Sequence, residues 1–412
     1  MKAYEKSFFL SLIIICVIFC AVNCSTRNNA KNDPRGKAYV GSNTCRNCHK
    51  DVYNRFIKSS HLNSSALVTT DNTLGSFELV NNTFNFSKDL KIVMEKRDSG
   101  MYQVVYKNNK EVEAHRFDIA FGTKNAQTFL YWKNKQTYEL PISYYSSVKS
   151  WATSPGFSPH HINFNRFIGT DCFECHSSYI KQQLNASTAG ITEELDKNSL
   201  VNGIDCERCH GPAINHVNYH EAYPDEKQAK YIVTNNSLSR QQKIDECALC
   251  HSGNDKLKQQ SRFDFRPGDT LADFFIPGSN KETKNFDVHG NQYQLLKESK
   301  CFLGSRVMTC NTCHDPHSNV SNNVIEYSQK CLSCHQNTNH NSRKLYAKGI
   351  NQLNENCIDC HMPKKASDAI TFYLSGSSDK SSYMLRSHKI AVYQKDSAVV
   401  RTLIDFFNKN KS

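Results

Sequence analysis

Seven copies of one short pattern, Cys-x-x-Cys-His, punctuate the chain. They are Cys45/Cys48/His49, Cys172/Cys175/His176, Cys206/Cys209/His210, Cys247/Cys250/His251, Cys310/Cys313/His314, Cys331/Cys334/His335 and Cys357/Cys360/His361. Two thiols three positions apart reach the two vinyl groups of one haem and form thioethers, and the histidine that follows sits beneath the iron as its proximal ligand. The pattern therefore reads as covalent attachment of seven c-type haems, one per motif. Structural zinc also uses Cys-x-x-Cys pairs, but a zinc ribbon needs no histidine fixed after every second cysteine.

Beyond the seven motif histidines, ten remain: His61, His115, His160, His161, His216, His220, His289, His317, His340 and His388. A second imidazole fills the sixth position of a haem iron and leaves a centre that transfers electrons without binding substrate. Ten histidines are enough to close seven irons, so the supply permits a pure electron carrier. An iron left open would instead allow chemistry on a small nitrogen or sulfur compound such as nitrite or hydroxylamine.

The elements that must position these residues are lean. Hydrophobic residues make up 38% of 412 and the mean hydropathy is −0.61, little apolar material for a chain of this length. Haem is a large flat apolar body that would fill the space aliphatic side chains usually fill. The formal charge of +12 would ordinarily suggest a nucleic-acid partner. Fourteen propionates on seven haems would turn it to about −2 before the irons are counted, so no nucleic-acid partner is expected.

Residues 8–22 (FFLSLIIICVIFCAV) follow Lys2 and Lys6 and form a short apolar core of an export signal, assigned to residues 1–23. An uncleaved anchor is the alternative. Cys24 directly after this stretch resembles the lipidated cysteine of a bacterial lipoprotein, although Asn23 departs from the small residue usual before it. Residues 24–37 (CSTRNNAKNDPRGK) read as a flexible tether. The location expected is periplasmic, or outer-membrane and cell-surface, with redox proteins of the envelope as partners and a lipid anchor as the membrane contact.

Residues 38–412 are expected to form one cytochrome domain, mostly α with much irregular loop, organised around stacked haems. His49 and His176, the histidines of the first two motifs, stand 127 positions apart, with no further motif between the two. Within this interval, residues 74–145 alternate as strands at 77–80, 83–86, 91–94, 102–106 and 129–132, and are expected to form a small antiparallel β insertion. Short helices are expected at 50–59 and 342–353, and a capped amphipathic helix at 396–409. Cys301, outside every motif, reads as a small buried hydrophobe.

Residues 39–50 (YVGSNTCRNCHK), continued to Ser60-His61, resemble the opening of multihaem cytochromes related to the tetrahaem electron acceptor of hydroxylamine oxidoreductase. Cys206 to His216 (CERCHGPAINH) is similar to that group's motif with a distal histidine six residues after the proximal one. CNTCHDPH, CLSCHQNTNH and CIDCHMP at 310, 331 and 357 resemble motifs of pentahaem nitrite reductases. The resemblance implies a helical array of closely stacked haems, with His61, His216, His289, His317, His340 and His388 as distal ligands. The seventh stays open among His115, His160 and His161, and His220 reads as structural. Two departures weigh against an ammonia-forming nitrite reductase or a hydroxylamine oxidoreductase. No motif ends in lysine, and no spacing singles out one of the nineteen tyrosines for a haem cross-link.

Overall fold

The computed structural model describes residues 33–188, 190–253, 257–276, 285–336 and 355–393. The expected signal segment, Cys24, most of the expected tether, His340 and the helices expected at 342–353 and 396–409 lie outside these residues.

The expectation of a mostly α protein is overturned: 30% of the chain is strand and 25% is helix. Helices are short because each Cys-x-x-Cys-His motif needs only about one turn. Strands, by contrast, extend well past the first inter-motif gap. Strands Thr83–Asn85, Leu90–Arg97, Gly100–Lys107 and Lys110–Arg116 form a four-stranded antiparallel meander. Its last turn places Asn108 and Asn109 at φ 50° and 59° between paired Lys107 and Lys110, the two-residue left-handed turn that matches strand twist. The expected strand at 77–80 is absent, and Leu79 and Val80 are 85% and 93% exposed.

A seven-stranded antiparallel sheet lies against the meander. Its order runs Ser65–Leu67, Ile119–Phe121, Ala126–Lys133, Gln136–Glu139, Phe167–Ile168, with Ile142–Tyr145 and Ser150–Thr153 added beside the start of Ala126–Lys133. Both faces of this sheet are buried, and alternation shows it. Phe129 and Tyr131 enter a core with Phe84, Ile92, Met94, Leu140 and Trp151 between the two sheets. Leu130 and Trp132 point the other way, toward Phe121, Ile168, Phe173 and Phe263. The second face therefore rests on Thr170–His176, the helix of the second motif.

Two further hairpins, Ser177–Ser187 with Gly190–Asn202 and Lys364–Tyr373 with Lys380–Arg386, leave directly from motif helices. The second packs Phe372 on Tyr145, ring centroids 4.2 Å apart, and so ties the seventh motif to the sheet. The longest described helix, Arg240–His251, opens with a capping box between Ser239 and Gln242 and ends on its motif histidine. Among the described residues no helix is long and apolar enough to cross a membrane.

Candidate haem-binding sites

All seven motifs are described, and each closes a helical turn over its five residues. Where the motif extends past a helix end, the turn persists: the N–H groups of His49, His314 and His335 donate to the carbonyls of Cys45, Cys310 and Cys331 at 2.9, 3.0 and 2.9 Å. Residues i, i+3 and i+4 of a helical turn share one face. Both thiols and the imidazole of a motif are thereby presented together, as one haem requires.

Four motif imidazoles face a histidine from a distant part of the chain. His49 faces His216 at 6.2 Å between ring centroids, His61 faces His251 at 6.5 Å, His210 faces His317 at 6.0 Å and His314 faces His388 at 6.1 Å. A metal–imidazole bond is about 2 Å long, so one metal between two imidazoles separates their ring centres by roughly 6 Å. The four gaps fit one iron each.

The neutral imidazole is the form that ligates metal, and burial disfavours the protonated form of several of the histidines. It pushes His251 and His388 down to about 4, and lowers His49, His176, His289, His314 and His317 as well. Cys209, His251 and His289 are solvent-accessible. Among the described residues no three His, Cys, Asp or Glu side chains converge to hold a metal ion by themselves, so the cysteines are not gathered as zinc sites.

Thiols of different motifs also meet. Cys45 lies beside Cys206, Cys175 beside Cys250, Cys247 beside Cys310 and Cys331 beside Cys357. Cys209 lies within electrostatic reach of Cys247 and Cys250, and Cys313 of Cys331 and Cys334. The fifteen described cysteines are all free of disulfides.

Cys48, expected as a haem-attachment residue, is exposed, and its N–H donates to the Cys45 carbonyl at 3.3 Å within the turn. Cys209, Cys313, Cys334 and Cys360, the second cysteines of four other motifs, are exposed too, whereas the first cysteine of every motif is half-buried. In these five motifs the second thiol is thus more exposed than the first, while Cys175 and Cys250 are half-buried like their partners.

Residues 144–211 match the family described as cytochrome c554 and c-prime, a stretch holding the second and third motifs. No curated protein sequence matches significantly. Among solved structures, the crystal structure of outer cell wall cytochrome OcwA superposes with a TM-score of 0.52 at 16% identity, over 86% of this chain and 80% of that one. The fold is that of a multihaem c-type cytochrome.

In this cytochrome fold, backbone carbonyls set the tautomer of several imidazoles. The Nδ1–H of His210 donates to Val233 at 2.8 Å, that of His216 to Lys230 at 2.8 Å, that of His361 to Ala391 at 2.9 Å and that of His61 to Pro316 at 3.2 Å. In each, a donating Nδ1–H makes Nε2 the nitrogen that carries the lone pair ligation needs. His289 lies near His176 and His251, and the ring of Phe121 stacks on His176 at 4.6 Å. His335 is exposed. Of the residues left open for a seventh distal role, His115 packs on Phe164 and Tyr131 and pairs with Glu113 at 2.6 Å inside the β region. His160 and His161 are exposed.

The sequence reading overlooked the residues between the motif cysteines. Glu207, between Cys206 and Cys209, accepts the N–H groups of Val40, Gly41 and Ala213 at 3.0, 2.8 and 2.9 Å. Arg35 pairs with Asp205 at 2.7 Å. These contacts hold the approach to the first motif against the third. Glu174, inside the second motif, accepts Ser261 Oγ at 2.7 Å and Lys258 Nζ at 2.6 Å. A buried carboxylate within a motif was the available signal. Cys301 is half-buried near the thiols of Cys313 and Cys331.

Proposed function

We propose that the chain is an exported cytochrome that carries seven covalent haems and conducts electrons between redox proteins of the cell envelope, held there by a lipid on Cys24. The observation that carries this reading is the set of four opposed imidazole pairs, because a closed iron exchanges electrons and little else. Haem iron supplies the one-electron chemistry when bound. The fourteen motif cysteines would fix each group covalently, and each motif histidine would supply one imidazole to the iron. His61, His216, His317 and His388 would supply a second at four sites, and His289 at the second motif.

The thiol contacts give an order. The first motif touches the third, the third lies beside the fourth, and the fourth touches both the second and the fifth. The fifth lies beside the sixth, and the sixth touches the seventh. Electrons would therefore run along 1-3-4-5-6-7 with the second site as a branch at the fourth. The match to an outer cell wall cytochrome supports a place outside the cytoplasm.

Electron paramagnetic resonance of the oxidised, fully loaded protein tests the reading. Low-spin ferric signals alone are expected. A high-spin component that shifts on adding nitrite or hydroxylamine would replace the conductor with an enzyme acting at an open iron.

A further inference from the structure

Helix Ile214–Ala222 carries two histidines four residues apart, His216 and His220. Positions i and i+4 share one face of a helix, and the two rings stand 4.6 Å apart at 59°. His216 is held in place. Its Nδ1–H donates to the Lys230 carbonyl at 2.8 Å and its ring faces His49. His220 is placed differently. Its Nε2 is buried with no hydrogen-bond partner among the described residues, its ring meets the edge of Tyr219 at 5.4 Å, and it lies within electrostatic reach of His49.

A buried nitrogen without a partner costs free energy and calls for an explanation. Three imidazoles, His49, His216 and His220, crowd one site that needs two. Resting on the axial reading of His49 and His216 above, we propose that His220 is a reserve axial ligand for the first motif. On loss of His216 the exchange would trade its Nε2–iron bond for one from His220 Nε2, with no proton or electron gained or lost. The helix supplies both nitrogens from the same face, so a side-chain rotation with a small shift of the helix would suffice. The first site would then admit small molecules more slowly than a site with one distal histidine.

The test uses the full-length, haem-loaded cytochrome and three variants: His216→Ala, His220→Ala and the double variant. The expected result for His216→Ala is full haem content, no high-spin ferric signal and one low-spin signal with shifted g values. His220→Ala should match the native spectrum, and the double variant should gain one high-spin haem that binds added imidazole. A high-spin haem in His216→Ala alone would overturn the reserve role while leaving the axial role of His216 intact. A native spectrum in His216→Ala would overturn the axial role itself, and the reserve role with it. Cyanide uptake gives an independent readout in chains that keep His216: His220→Ala should take cyanide at the first site several-fold faster than the native protein, and equal rates would overturn the proposal.

Discussion

The imidazoles of His210 and His317 lie parallel to within 2°, their centroids 6.0 Å apart, although 107 residues separate them in the chain. His210 is fixed by the Val233 carbonyl, and His317 by the loop after the fifth motif, where its N–H donates to Asp315 at 3.0 Å. The pair is the most regular of the four and the most direct to test. His317→Ala should keep the native haem content and convert one low-spin ferric signal to high spin, with the remaining signals unmoved. Unchanged spin states would remove His317 from the axial set.

Gly203 ties the second site of this kind to the backbone. Its φ is +66°, and a Cβ there would lie 1.7 Å from the Leu62 carbonyl oxygen. The next residue, Ile204, donates its N–H to the His61 carbonyl at 2.8 Å. Gly203→Ala therefore combines a left-handed backbone with a backbone collision, and should cost roughly 2–3 kcal/mol or more. Because Leu62 must move, the His61–His251 pair should be disturbed first. A lower Tm together with a change confined to one low-spin signal is expected. Gly190→Ala, at a turn open to solvent, serves as the control and should leave that signal alone.

Glu207 serves three backbone N–H groups at once. Leaving a buried donor without an acceptor costs about 1–3 kcal/mol. Glu207→Ala should accordingly destabilise the protein by roughly 3–5 kcal/mol, comparable to removing one partner of a buried charged group. Glu207→Gln keeps an acceptor oxygen and should recover part of the loss. Denaturant unfolding of both variants checks the ranking; equal losses would show that charge, not acceptance, is what Glu207 contributes.

The attachment sites were legible because their chemistry is local. Five residues fix two thiols and one imidazole on a single helical turn, so spacing alone identifies them. Spacing does not tell the two thiols apart, however, and the exposure of Cys48 against the half-buried Cys45 emerges only in the fold. Of the histidines named as distal candidates, His61, His216, His317 and His388 face a motif histidine, and those pairings arise only through tertiary structure. Strand content was underestimated for a different reason. The outer part of the 177–202 hairpin is polar and exposed on both faces, so it has no alternation to read. The opposite error came at 77–80, where alternating residues form a turn instead.

Glu139 offers a pH test away from the haem ligands. It sits on an edge between the Leu130 pairing and Arg166, its side chain 7% exposed, with the Arg166 guanidinium 3.2 Å away. Burial raises its pKa from about 4.5 to about 7, and Arg166 opposes that rise without cancelling it. The folded protein therefore binds a proton here more tightly than the unfolded chain does. Its favourable contribution is complete below about pH 4.5, declines as pH rises toward 7, and is gone above that. Glu139→Gln fixes the neutral form. The variant should match native stability at pH 4 and exceed it at pH 8 by about 3 kcal/mol at most. Tm measured for both proteins from pH 4 to pH 8 checks the sign: two parallel curves, or a variant less stable at pH 8, would show that the Arg166 ion pair outweighs the burial of the carboxylate.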